Sequence, residues 1–131
     1  MRMNDAAGAP LVRLGTVMIG VTDLTRALAF YRDALGLPVQ FASGEFAFLD
    51  GGGVTLVLRH VAELPSPAEG RTELVFHVAD IDEATTTLRA RGVAFRREPR
   101  IVTGDQLAAD FRDPDGHVLS IFGPRAGAPR G

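Results

Sequence analysis

Val17-Met18-Ile19-Gly20-Val21-Thr22-Asp23-Leu24 and Leu74-Val75-Phe76-His77-Val78-Ala79-Asp80-Ile81 decide the fold, because they set out the same plan twice. Each is a short alternating strand that runs into an acidic residue and then a helix. In the first copy Thr22 or Asp23 can accept from the free amides of the next turn. Leu24, Ala27, Leu28, Tyr31 and Leu35 then recur at helical spacing until Gly36 and Pro38 end the run. In the second copy Asp80 and Glu83 make a capping-box pattern, Ile81, Ala84 and Leu88 form the apolar stripe, and Gly92 closes it.

The back halves of the two copies also align. Phe48-Leu49-Asp50-Gly51-Gly52-Gly53-Val54-Thr55-Leu56-Val57-Leu58 corresponds to Phe111-Arg112-Asp113-Pro114-Asp115-Gly116-His117-Val118-Leu119-Ser120-Ile121, a strand turning through Asp, Gly and Pro into another strand. Val61–Arg71, with Pro65 and Pro67, reads as a surface linker between the copies. The expectation is an α+β fold of two repeated βαβββ modules: module one over 11–60, a linker over 61–71 and module two over 72–123. Residues 1–10 and 124–131, rich in small residues, Pro and Gly, read as flexible tails.

Period-two alternation sorts the strand residues by face. Val17, Ile19 and Val21 share one face, as do Leu74, Phe76 and Val78, Val54, Leu56 and Leu58, and Leu119 and Ile121. That apolar face should lie under the helices, leaving them on the outer side of a curled mixed sheet. The other face carries Thr16, Met18 and Gly20; Thr55, Val57 and Arg59; Glu73, Val75 and His77; and Val118, Ser120 and Phe122. Its mixture of polar and apolar groups suits a ligand cavity. A solvated sheet face or a dimer interface fits the same alternation. Gln106 and Asp110 share parity with each other, but the sequence does not say which face they take.

Composition excludes several classes. With 131 residues and 46% hydrophobic content the chain suits one domain with a real core. Fourteen basic and 16 acidic residues give a formal net charge of −2, and the scattered arginines argue against nucleic acid as a partner. The chain has no cysteine, so disulfides, thiolate nucleophiles and cysteine-ligated zinc are out. No apolar run approaches the roughly 20 residues of a membrane span, and a cytoplasmic location is expected.

The strings Val21-Thr22-Asp23-Leu24, Ala29-Phe30-Tyr31-Arg32-Asp33-Ala34-Leu35-Gly36-Leu37, Val78-Ala79-Asp80-Ile81 and Phe111-Arg112-Asp113-Pro114-Asp115-Gly116-His117 together resemble the vicinal oxygen chelate superfamily, the glyoxalase, bleomycin-resistance and extradiol-dioxygenase group. The resemblance spans about residues 12 to 123. It implies two modules whose sheets curl around a shared cavity, often in a homodimer. It also implies where metal-dependent members place their ligands: on this chain, Thr16, Val57, Glu73 and Ser120. Enzymatic members carry His or Glu there, and here only Glu73 is a strong donor. No metal and no other cofactor is therefore expected.

The residues expected to line the cavity are Thr16, Met18, Val57, Arg59, Glu73, Val75, His77, Ser120 and Phe122. Glu73, set among apolar neighbours, would be a general acid or base with His77 beside it; alternatively, it pairs with Arg59 or another cavity arginine and His77 sits at a half-exposed rim. Arg59 suits a carboxylate or phenolate, or plain exposure at the surface. Phe41, Phe46, Phe48 and Phe122 offer aromatic walls, with core packing the safer assignment for Phe48. His60 and His117 read as structural. Two functions follow from this set. One is a metal-independent small-molecule binding protein of the bleomycin-resistance type that sequesters an apolar or aromatic natural product. The alternative is a metal-independent isomerase, cyclase or lyase using Glu73. A regulatory dimer with an occluded cavity is a third, plainer reading.

Overall fold

The acidic residues that close the first strand of each module set the helix starts. Asp23 accepts from the Arg26 amide at 3.0 Å, and Asp80 accepts from the amides of Asp82 and Glu83. Each satisfies donors that the first helical turn leaves without partners. The computed structural model describes residues 10–65 and 72–126; residues 1–9 and 127–131 of the expected tails 1–10 and 124–131, and residues 66–71 of the expected linker, lie outside them. In chain order the elements are β1 (Thr16–Val21), α1 (Leu24–Leu28), β2 (Val39–Ala42), β3 (Phe46–Asp50), β4 (Thr55–His60), β5 (Glu73–His77), α2 (Ile81–Ala90), β6 (Phe95–Thr103), β7 (Gln106–Arg112) and β8 (Val118–Pro124). Strand β8 thus runs one residue past the expected end of module two, to Pro124.

The first helix departs from the single α-helix that its periodicity predicts. From Ala29 to Ala34 it widens into a π-helical segment, with the Leu35 amide donating to the Phe30 carbonyl at 2.9 Å. The physical reason lies in two adjacent aromatics that both have partners inside the protein. Tyr31 is fully buried and donates its hydroxyl to Asp113 at 2.6 Å, while the Phe30 ring packs 6.1 Å from Phe111. A wider turn lets neighbouring side chains serve one side of the helix. Gly36, at φ +82°, then supplies the left-handed cap that the sequence anticipates.

Each module forms one open four-stranded mixed sheet, ordered β1-β4-β3-β2 and β5-β8-β7-β6, in which the first and last strands of the module run parallel. The α+β class and the paired βαβββ plan are as expected. Ala47, Leu49, Leu56 and Leu58 from one sheet and Leu107, Ala109, Phe111, Leu119 and Ile121 from the other join Ala27, Tyr31, Ile81 and Leu88 of the helices in a single core. Burying these side chains removes the hydration cost that drives folding, at about 25 cal/mol per Å² of apolar surface.

The Asp-Pro-Asp-Gly turn between β7 and β8 fastens one module to the other. Asp113 accepts from Tyr31 on one oxygen and from the amides of Asp115 and His117 on the other. Asp115 accepts from the amide and the hydroxyl of Thr22, and the His117 Nε2 donates to the Gly20 carbonyl at 2.7 Å. His117 is therefore structural, and the motif works as an intermodule clasp.

Candidate functional site

Strand register carries every expected cavity residue to the helix-free side of its sheet. In module one, β1, β4, β3 and β2 line up Met18, Val57, Phe48 and Phe41 in one row, flanked by Gly20, Arg59 and Phe46 on one side and by Thr16, Thr55 and Asp50 on the other. In module two, β5, β8, β7 and β6 line up Val75, Ser120, Asp110 and Arg97; one neighbouring row holds His77, Phe122, Ala108 and Arg100, the other Glu73, Val118 and Arg112.

Two sequence assignments change here. The linear alignment equates Phe48 with Phe111, but register pairs Phe48 with Val57 on the helix-free face, while Phe111 pairs with Leu119 in the core. The first hairpin spans four residues between Asp50 and Thr55 and the second five between Arg112 and Val118, so the strands before the turns are offset by one. Leu49 is the true counterpart of Phe111, and Phe48 belongs with the aromatic walls, its ring 6.0 Å from Phe41 and 6.4 Å from Phe46. The second change gives Asp110 a face. It stands opposite Ser120, beside the metal-ligand position, and is 1% exposed. The alternation of apolar Leu107, Ala109 and Phe111 against Gln106, Ala108 and Asp110 was the available signal; what was missing was which set faced the core.

Exposure divides the site. Val57 and Ser120, in the middle strands, are buried, and Phe122 is half-buried with its ring 5.3 Å from His77. Thr16, Arg59, Glu73 and His77 are exposed, Met18 is 52% exposed, Val75 50% and Phe41 59%. In the single chain the helix-free face is thus open, and the Glu73 carboxylate stands exposed on it. Among the described residues Glu73 and Arg59 form no ion pair with each other or with any other side chain. His60 stands 3.6 Å from Glu45, away from these rows.

Hollows flank the sheets. One of 230 Å³ lies where β1 and β5 begin, lined by Val17, Leu56, Glu73, Val75 and Phe76 among others. A second of 370 Å³ lies on the helix-covered side, against Leu35, Thr87, Leu88 and Arg91. Arg91 donates there to the Ala34 carbonyl at 3.2 Å.

The four ligand positions implied by the resemblance do not fit a divalent metal. Val57 has no donor atom, Thr16 and Ser120 offer only neutral hydroxyls, and Glu73 is a single carboxylate. Among the described residues no group of three or more His, Cys, Asp or Glu side chains could share an ion. No helix among them is long and apolar enough to cross a membrane.

Paired βαβββ modules with helices on one side and an open mixed face on the other define a recognisable class of protein. The chain belongs to the glyoxalase/bleomycin resistance protein/dioxygenase superfamily, which matches residues 13–121. An uncharacterized protein of Mycolicibacterium smegmatis is 31% identical over 109 residues, covering 82% of this chain and 90% of that one. A glyoxalase/bleomycin resistance protein/dioxygenase from Nocardioides superposes with a TM-score of 0.71 at 25% identity, covering 95% of this chain and 92% of that one. TnmS3, an antibiotic binding protein from Streptomyces sp. CB03234, superposes with a TM-score of 0.72 at 24% identity, covering 88% and 98%.

Proposed function

We infer that this protein is a metal-independent small-molecule binding protein that sequesters a flat, largely apolar or aromatic molecule on its helix-free face. The observation that carries this reading is the row Met18, Val57, Phe48 and Phe41, an apolar shelf running across four strands and including Val57, one of the four positions where a metal site would need a donor. Exposed apolar surface of this kind is costly unless something covers it, and aromatic walls suit a planar ligand. The antibiotic-binding fold neighbour is in keeping with this use of the fold. Thr16, Arg59, Glu73, Val75, His77, Ser120 and Phe122 complete the ligand surface. A second copy of the chain is the natural cover for the open faces, so the working unit is a homodimer with ligand enclosed between copies.

A thermal-shift screen of aromatic antibiotics, run alongside metal analysis of the dialysed protein, tests this. A saturable rise in melting temperature with no stoichiometric metal supports the reading; stoichiometric zinc, nickel, iron or manganese overturns it. Acid–base catalysis by Glu73 with His77 needs the dimer to bury a carboxylate that the single chain leaves exposed. Glu73→Gln distinguishes the cases: a sequestering protein keeps most of its affinity, whereas an enzyme loses turnover and still binds.

A further inference from the structure

The two modules place equivalent rows on the same face, and their chemistry diverges at two positions. Where module one has Phe48 and Phe41 beside Val57, module two has Asp110 and Arg97 beside Ser120. Asp110 is 1% exposed, and its Oδ2 accepts from Nε of Arg97 at 2.7 Å and from Nη2 of Arg100 at 3.5 Å, with Nη2 of Arg97 in ion-pair contact at 2.7 Å. Arg96 Nε stands 3.2 Å from Oδ1, out of hydrogen-bond alignment, and that buried oxygen is left with no hydrogen bond.

Holding the edge strand β6 against β7 accounts for a carboxylate and one guanidinium, since a buried charge needs a partner. It does not account for two partly exposed guanidiniums, Arg97 and Arg100, on that one carboxylate, one positive charge more than it balances. A guanidinium has five N–H donors. Arg97 commits one to Asp110; Arg100 commits one to the Ala108 carbonyl at 3.1 Å and one to Asp110. The remaining donors belong to side chains that are 52% and 38% exposed. In the next row the small Ala108 separates Arg100 from Phe122, leaving a shallow step between a cation and an aromatic surface.

We propose that Arg97 and Arg100 form an anion subsite, which takes the carboxylate, sulfonate or phenolate of an aromatic ligand whose ring lies over Ala108 against Phe122 and His77. Asp110 is the buried counter-charge that fixes the forks before the ligand arrives, so that less freedom is lost on binding. This rests on the reading of the face as an aromatic site and narrows the ligand to an anionic class.

Two fluorescent probes share one ring system and differ in charge: 8-anilino-1-naphthalenesulfonate and neutral N-phenyl-1-naphthylamine. Titrating both into the full-length protein should give about tenfold tighter binding of the sulfonate, a preference that added salt erodes. Arg100→Gln, chosen because its link to Asp110 is the longest, should abolish that preference while moving the neutral probe's affinity by less than about twofold. If that variant fails to fold, Arg100→Lys and the salt dependence of the wild type carry the same test. Equal affinities for the two probes, or parallel weakening of both in the variant, would overturn the subsite alone. Binding of neither overturns the aromatic site itself and the subsite with it.

Discussion

Tyr31 is the residue through which the two modules depend on each other most directly. Its hydroxyl is buried, reaches Asp113 at 2.6 Å and joins the first helix to the second module's turn. Burial, then the Asp113 charge and hydrogen bond, push its ionisation far above the ordinary tyrosine range. Tyr31→Phe leaves an Asp113 oxygen without its donor in the interior and should cost about 1–3 kcal/mol in urea unfolding near neutral pH. The pH dependence follows in sign. An acid whose folded pKa is raised holds its proton longer in the folded state, so its contribution is complete below the unfolded value near 10 and falls as pH climbs above it. Wild-type stability should therefore decline more steeply above about pH 10 than that of Tyr31→Phe. A matching alkaline slope in the two proteins would contradict this account of Tyr31. The sequence offers Tyr31 as a large core contact, but its hydrogen-bond partner lies 82 residues away and no local pattern reveals it.

At the scale of elements, β8 is pinched against the end of β5. The Val78 amide donates to the Phe122 carbonyl at 2.9 Å, and a Cβ added at Gly123 would fall 2.1 Å from the Val78 carbonyl oxygen. Gly123→Ala should thus cost about 1–3 kcal/mol by forcing the strands apart, and a urea midpoint unchanged from wild type would refute the close approach. Strand and helix positions were legible because alternation and helical spacing report burial directly, and the core lies on the side that parity assigned. Two features escaped. The π-helical widening at Ala29–Ala34 depends on partners in the other module, and the one-residue difference between the hairpins is hidden because Gly51-Gly52-Gly53 and Pro114-Asp115-Gly116 match in length by eye. That offset misassigned Phe48 and obscured its equivalence to Asp110.

Taken as a whole, the molecule devotes one side of both sheets to a continuous core and leaves the other side uncovered. The expected site residues share that uncovered side because alternation is a property of the strand itself, so their common face was readable from the sequence. Their exposure was not, since it depends on what lies across from the sheets. The arginine cluster around Asp110 was equally hidden: Arg96, Arg97 and Arg100 lie within five residues of one strand, but bulges in the β6–β7 pairing bring all three to one carboxylate. The helix-free face is expected to bind an aromatic molecule without help from a metal. Calorimetric titration of the best aromatic hit, into dialysed protein with and without a chelator, tests that claim most directly. The dissociation constant and stoichiometry should be the same in both. Loss of binding in chelator, restored by adding zinc or nickel, would contradict it.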